Sequence, residues 1–482
     1  MSRFKKVKYN GHILKTRRDF LSHGFITGVG AAALPSLYAL LRTEQLYGAC
    51  ASEGGANLAG AAAYAIDASG GINLAGNDVV VRTTAGELLT SYSALGLPDE
   101  LHPSNAAFID STFGLEMHVN SPLLQGLKAG MGNDPLLMAK VNSAIVCTVS
   151  DDDSGNNLLG VAPGMAMVSQ GRYTSLTGAR NKASGGRHNS PFQLGAAPVI
   201  VSSANDLTGL VTPGPLTTRF GAAGRDKLLK AIQNLSETQL KKFLMLAPDK
   251  QLEELIRCGH VDSQALFSAD ASSVQPSANV ATAFTDATSQ DAALAWSVVS
   301  GTAGAAAFEI GGGDYHNRGV TSTHAKNVEV GEAVGRALRL ALLENRKIMV
   351  TITTDGGVAA GNNAESDGTV NKLAFRADSG QRSAAMAFCA DPAGRPKFAR
   401  NQIGAFKSDG GGSVDNAANK VSTSPEACAS VLVANFQKFH EGKIDIAKFY
   451  PDSPISNAEF NANDSEYVFV DEGVEEAAPA AG

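Results

Sequence analysis

Three short stretches put chemically capable side chains directly behind apolar runs. Asp67-Ala68-Ser69-Gly70-Gly71 follows the run from Ala61 to Ile66. Gly311-Gly312-Gly313-Asp314-Tyr315-His316 follows Ala303 to Ile310, and Thr354-Asp355-Gly356-Gly357 follows Ile348 to Thr353. Several carboxylates and one imidazole are hard or borderline donors, the set that suits Mg, Mn, Ca or Zn. Asp67, Asp314, His316 and Asp355 are therefore the candidate ligands of a divalent metal. Such a cation would act as a Lewis acid and lower the pKa of a bound hydroxyl or water.

The elements that carry these residues follow from the pattern around them. Between the second and third stretches, Val330, Val334, Ala337, Leu338, Ala341 and Leu342 recur at helical spacing. Glu332 and Arg336 pair at i,i+4 on the polar side of that helix. Strand, helix, strand in this order is a crossover unit, so the two strands run parallel. Asp314, His316 and Asp355 then leave the same edge of one sheet, the edge where open α/β sheets bind ligands. Neighbouring strands would stand roughly 4.8 Å apart, and an intervening strand would make the gap about 10 Å. Asp67 ends its own strand in the same way. Val141 to Val149 and Ala197 to Val201 also read as buried strands feeding polar loops.

The rest of the chain bounds the setting. Residues 225–258 carry helical patterns that read as a lid or side layer, and 262–290 reads as a loop rich in Ser, Ala and Thr. Among 482 residues, 44% are hydrophobic and 18% charged, a globular composition. Charge is unevenly placed: residues 1–18 hold seven basic side chains and no acidic one. Without residues 1–51 the chain keeps 32 basic against 45 acidic residues, and so acidic a body excludes nucleic acid as a partner. Thr16-Arg17-Arg18-Asp19-Phe20-Leu21 precedes an uncharged stretch to Leu41, rich in small residues and broken by Pro35. This resembles a bacterial twin-arginine export signal, with Ala49-Cys50-Ala51 as cleavage site or Cys50 as a lipidation site. The expected organisation is a signal segment over 1–51, one large domain over 52–470 and an acidic disordered tail over 471–482. Cys147, Cys258, Cys389 and Cys428 are scattered, and buried thiols are preferred over disulfides.

The export signal, the segment Leu115-Glu116-Met117-His118-Val119-Asn120-Ser121-Pro122 and the Gly312-Gly313-Asp314-Tyr315-His316 turn resemble an uncharacterised exported bacterial family. That family is grouped with the alkaline phosphatase and sulfatase superfamily. The resemblance implies an alkaline-phosphatase-like α/β domain, a mostly parallel sheet flanked by helices. It also implies metal-dependent hydrolysis of phosphate or sulfate esters, with Asp314 and His316 at the metal and Asp355 in the position of the family's Glu. Asp67-Ala68-Ser69 resembles the superfamily's Asp-x-Ser, which makes Ser69 the candidate catalytic nucleophile. On its surroundings alone Ser69 reads as a Gly-flanked turn serine. The chain departs from the family in lacking a Cys-x-Pro-x-Arg signature and in placing Gly356 after the strand-end Asp. Where a late Asp-His-Gly-His belongs, only Asp378-Ser379-Gly380-Gln381-Arg382-Ser383 stands. The expected function is thus an exported, periplasmic or extracellular ester hydrolase acting on a small molecule. The alternative is an inactive relative that binds an envelope component. Membrane contact is expected only through the signal segment or a lipid on Cys50.

Overall fold

A computed structural model describes residues 60–150, 161–169, 276–284, 290–316, 318–354 and 356–475, besides isolated positions and four two-residue strands. Nearly all of these belong to one compact unit drawn from residues 51–208 and 272–482. Of the other unit, residues 1–50 and 209–271, only Lys8–Tyr9 paired antiparallel with His12–Ile13 is described. The patterns at 197–200 and 225–258 lie outside the described residues.

The larger unit is mixed α/β. Its central sheet holds β1 (Ala62–Ala68), β2 (Val141–Thr148), β3 (Ala306–Ile310) and β4 (Ile348–Thr354). A two-stranded ribbon, β5 (Val358–Ser366) and β6 (Asn371–Asp378), precedes the remaining sheet strands β7 (Ser383–Ala390) and β8 (Gln402–Ile403). The strand order is β8-β2-β7-β4-β1-β3. Only β7 runs against the others; the remaining pairings, β8 with β2, β4 with β1 and β1 with β3, are parallel. The expected crossover is present, and the strand lying between its two strands is β1, which carries Asp67.

These strands read as unbroken apolar runs because helices cover both sheet faces. On one face, Ala63, Ala65, Val146, Met349, Ala387 and Cys389 pack with helix α1 (Val161–Val168) and a later C-terminal helix. On the other face Tyr64 points toward Asp291 of α2 (Gln290–Val299) and Arg336 of α3 (Val320–Leu343). All six apolar positions of the predicted stripe on α3 are buried. Its predicted pair also forms, with Arg336 3.2 Å from Glu332 and 2.9 Å from Asp291. The C-terminal helix on the first face is α4 (Pro425–Glu441), begun by the Ser424 hydroxyl accepting from Ala427 N–H and ended by left-handed Gly442. Cys147, Cys389 and Cys428 are buried free thiols. Part of the expected 262–290 loop is helical, at Ala278–Ala283, where the Ser277 hydroxyl caps the N-terminus.

One contact in this layer is unusually close. The helix Pro122–Gly130, capped by Ser121 with Pro at its first turn, crosses α3 through two pairs of glycines spaced i,i+4. Gly126 and Gly130 lie on one helix, Gly331 and Gly335 on the other. A methyl built on Gly331 would fall 2.3 Å from the carbonyl oxygen of Leu123, and one on Gly126 would fall 2.1 Å from that of Val328. Backbone therefore meets backbone here, a distance that no side chain permits.

Candidate functional site

The carboxyl ends of β1, β3 and β4 share one edge, and their loops are fastened to one another. Gly313 N–H donates to the Ser69 carbonyl at 3.0 Å, and Tyr315 N–H donates to that of Gly71 at 3.2 Å. These two bonds lay the turn after β3 across the loop after β1. A methyl on Gly70 would stand 2.8 Å from the Asp314 nitrogen, so only glycine allows the turn to lie so near. The loop after β4 joins through Ile72 N–H donating to the Thr354 hydroxyl at 3.1 Å. Gly357 N–H donates to the Ser150 hydroxyl at the end of β2, and Ser379 N–H donates to the Gly357 carbonyl just before β7.

The expected site residues fall into two layers at this edge. Asp67 and Ser69 are buried, at 4% and 0% exposure. Asp314 and His316 are exposed above them, with Asp314 at φ +37, a left-handed conformation that aspartate tolerates better than most residues. Asp355 lies outside the described residues. Among the described residues no three His, Cys, Asp or Glu side chains gather closely enough to hold a metal ion. The described donors alone thus do not fit a complete cation site.

The structure adds two carboxylates to which the sequence reading gave no role. Glu309 is the register partner of Asp67 across β1 and β3, so the two project from the same sheet face on strands about 4.8 Å apart. The Ser69 hydroxyl donates to Glu309 Oε1 at 3.0 Å. Glu309 stands inside the apolar run from Ala303 to Ile310, which hid it. The second is Asp378, at the end of β6, whose Oδ2 lies 2.8 Å from His316 Nδ1. It opens the stretch that stands in place of the family's Asp-His-Gly-His, where nothing local pairs it with His316.

A buried polar cluster anchors the turn from behind. The Tyr315 hydroxyl donates to the Thr323 carbonyl at 2.9 Å and to the Asn327 side chain, whose amide nitrogen donates to Asp78. Asp78 also accepts from the Ser121 hydroxyl at 2.6 Å and Leu123 N–H at 3.0 Å. Burial pushes its carboxyl pKa up, while nearby Lys372 and these bonds work against that rise. Lys372 is 2% exposed, and its Nζ donates to the Asn120 carbonyl at 2.6 Å. Burial lowers its pKa, opposed by the carboxylates of Asp78 and Asp367. Asp367 in turn stands 3.2 Å from His324 Nδ1. His324 therefore braces the ribbon tip against α3.

No protein-family model, curated protein or solved structure matches the chain.

Proposed function

We propose that this edge is the hydrolytic site of an exported protein acting on phosphate or sulfate esters, with Ser69 as the nucleophile. The observation that carries the reading is the Ser69–Glu309 bond at the carboxyl ends of parallel strands, beneath the Asp314/His316 turn. Attack by a serine oxygen on phosphorus or sulfur requires loss of the hydroxyl proton, and Glu309 already accepts that hydrogen. Asp67 beside Glu309 gives the site a second carboxylate. The family likeness implies a divalent cation with Asp67, Asp314, His316 and Asp355 as its ligands, a requirement open to direct measurement. No helix among the described residues is long and apolar enough to cross a membrane, and we place the protein in the periplasm or outside the cell on its signal segment.

A second reading, a retained fold that binds an envelope component without turnover, is favoured by the complete burial of Ser69. One experiment separates the two. The mature chain is assayed with aryl phosphate and aryl sulfate esters, with and without added Zn, Mn, Mg or Ca, and its metal content is measured. The hydrolase reading expects metal-stimulated turnover that falls by about 10²–10⁴ in Ser69→Ala. Turnover unaffected by Ser69→Ala removes Ser69 as nucleophile. Metal-free protein with no turnover under any condition leaves the binding role.

A further inference from the structure

His316 and Asp378 stand 62 residues apart and come from different elements, the turn after β3 and the base of the ribbon. Their meeting is built rather than incidental. On the turn side, Tyr315 is buried and bonded through its hydroxyl to α3, which holds the next residue in place. On the ribbon side, Asp378 is the register partner of Val358, which ties it to the first residue of β5. Three residues before Asp378, the Phe375 ring packs tilted against Tyr315 with centroids 5.6 Å apart. Consecutive turn residues thus each contact the same strand of the ribbon.

The chemistry of the pair is directional. An ionised carboxylate can only accept a hydrogen bond, so the proton of this bond belongs to His316 Nδ1. In the neutral ring Nε2 then carries a lone pair, and among the described residues nothing bonds to it. A histidine side chain free in water favours the opposite form, with the proton on Nε2. We infer that Asp378 is the positioning residue of His316, holding the Nδ1–H tautomer and leaving Nε2 a bare acceptor. Any part this lone pair plays in turnover rests on the hydrolytic reading above; the tautomer does not.

The ordinary alternative is a surface ion pair, since the two side chains are 42% and 35% exposed. Exposed pairs contribute about 0–1 kcal/mol, and a pair made only by the protonated ring leaves the neutral ring in its ordinary Nε2–H form. Long-range proton–nitrogen correlation spectra of the ¹⁵N-labelled full chain distinguish these. The His316 ring is assigned by its disappearance in His316→Gln, and spectra are taken where the ring is neutral. The expected result is an Nδ1–H ring in the native chain, a switch to Nε2–H in Asp378→Ala, and retention of Nδ1–H in Asp378→Asn, whose amide oxygen still accepts. Thermal stability should barely change in either variant. An Nε2–H ring in the native chain, or a ring indifferent to Asp378→Ala, overturns the inference. Where ester turnover is found, Asp378→Ala should lower kcat about ten- to hundredfold with KM unchanged. An unchanged kcat would also overturn the positioning role, whereas absent turnover with the expected spectra would remove only the hydrolytic reading.

Discussion

Gly331→Ala is a sharp test of how the layer behind the site is assembled. In an ordinary helix interior this change stabilises by about 1 kcal/mol, because alanine loses less backbone freedom on folding. Here the added methyl would lie 2.3 Å from Leu123 O and 2.8 Å from Leu127 N. Both neighbours are backbone atoms of the opposing helix, so no rotamer change relieves the overlap. Reaching a normal contact requires the helices to separate by roughly 1 Å, which also loosens the contacts at Gly126, Gly130 and Gly335. Overpacking of this kind costs about 1–3 kcal/mol, and rigid neighbours put it at the upper end. The net expectation is a loss of about 2 kcal/mol, opposite in sign to the propensity gain. Urea unfolding followed by the fluorescence of Trp296, the single tryptophan, should show a lower midpoint at unchanged slope. Gly126→Ala should behave alike, and the double variant should lose less than the sum, because one helix displacement accommodates both methyls. A raised midpoint in Gly331→Ala would refute the close-contact argument outright.

Two further outcomes follow from buried polar groups. Lys372→Met should destabilise by about 3–5 kcal/mol, since it leaves Asp78 and Asp367 buried without their cation. Adding Asp367→Asn should recover part of that loss, and strictly additive effects would mean that the charges do not interact. Burial lowers the pKa of His118 to about 4, and its ring donates from Nε2 to the Leu101 carbonyl while Nδ1 accepts from Asn120 N–H, an arrangement only the neutral ring satisfies. The unfolded chain takes up this proton near pH 6.5, so the contribution is complete above that value. It declines as pH falls from about 6.5 to 4 and is constant below, on the order of 3 kcal/mol in total. Burial lowers His440 in the same direction, so the comparison is with His118→Gln, whose stability should fall less steeply over that range. Equal slopes would remove His118 as the source.

The legible parts of this fold were those in which burial repeats. Ala62–Ala68, Val141–Thr148 and Ile348–Thr354 lie covered on both faces, so each appears in the sequence as an apolar run. The long helix shows its stripe because one side faces the sheet. The ribbon was illegible for the opposite reason. β5 is buried at only one position, its pairing with β6 is interrupted by register shifts, and β6 buries Lys372, a residue normally found in water. Strand direction is equally silent: Ser-Ala-Ala-Met-Ala-Phe-Cys-Ala reads as a strand, but nothing local says that it opposes its neighbours. The site was half visible. Residues behind strand ends announced themselves through glycine, whereas Glu309 sat inside an apolar run and Asp378 depended on a contact 62 residues away.

That ribbon has an organisational consequence. It leaves the sheet after Thr354 and returns at Ser383, on strands that are antiparallel neighbours. A tight turn could join those two ends, and the six-stranded hydrogen bonding would be untouched. The excursion is thus an insertion that the sheet's own hydrogen bonding does not require. Lys372, Phe375 and Asp378 are the residues that bind it back, to the layer behind the turn and to His316.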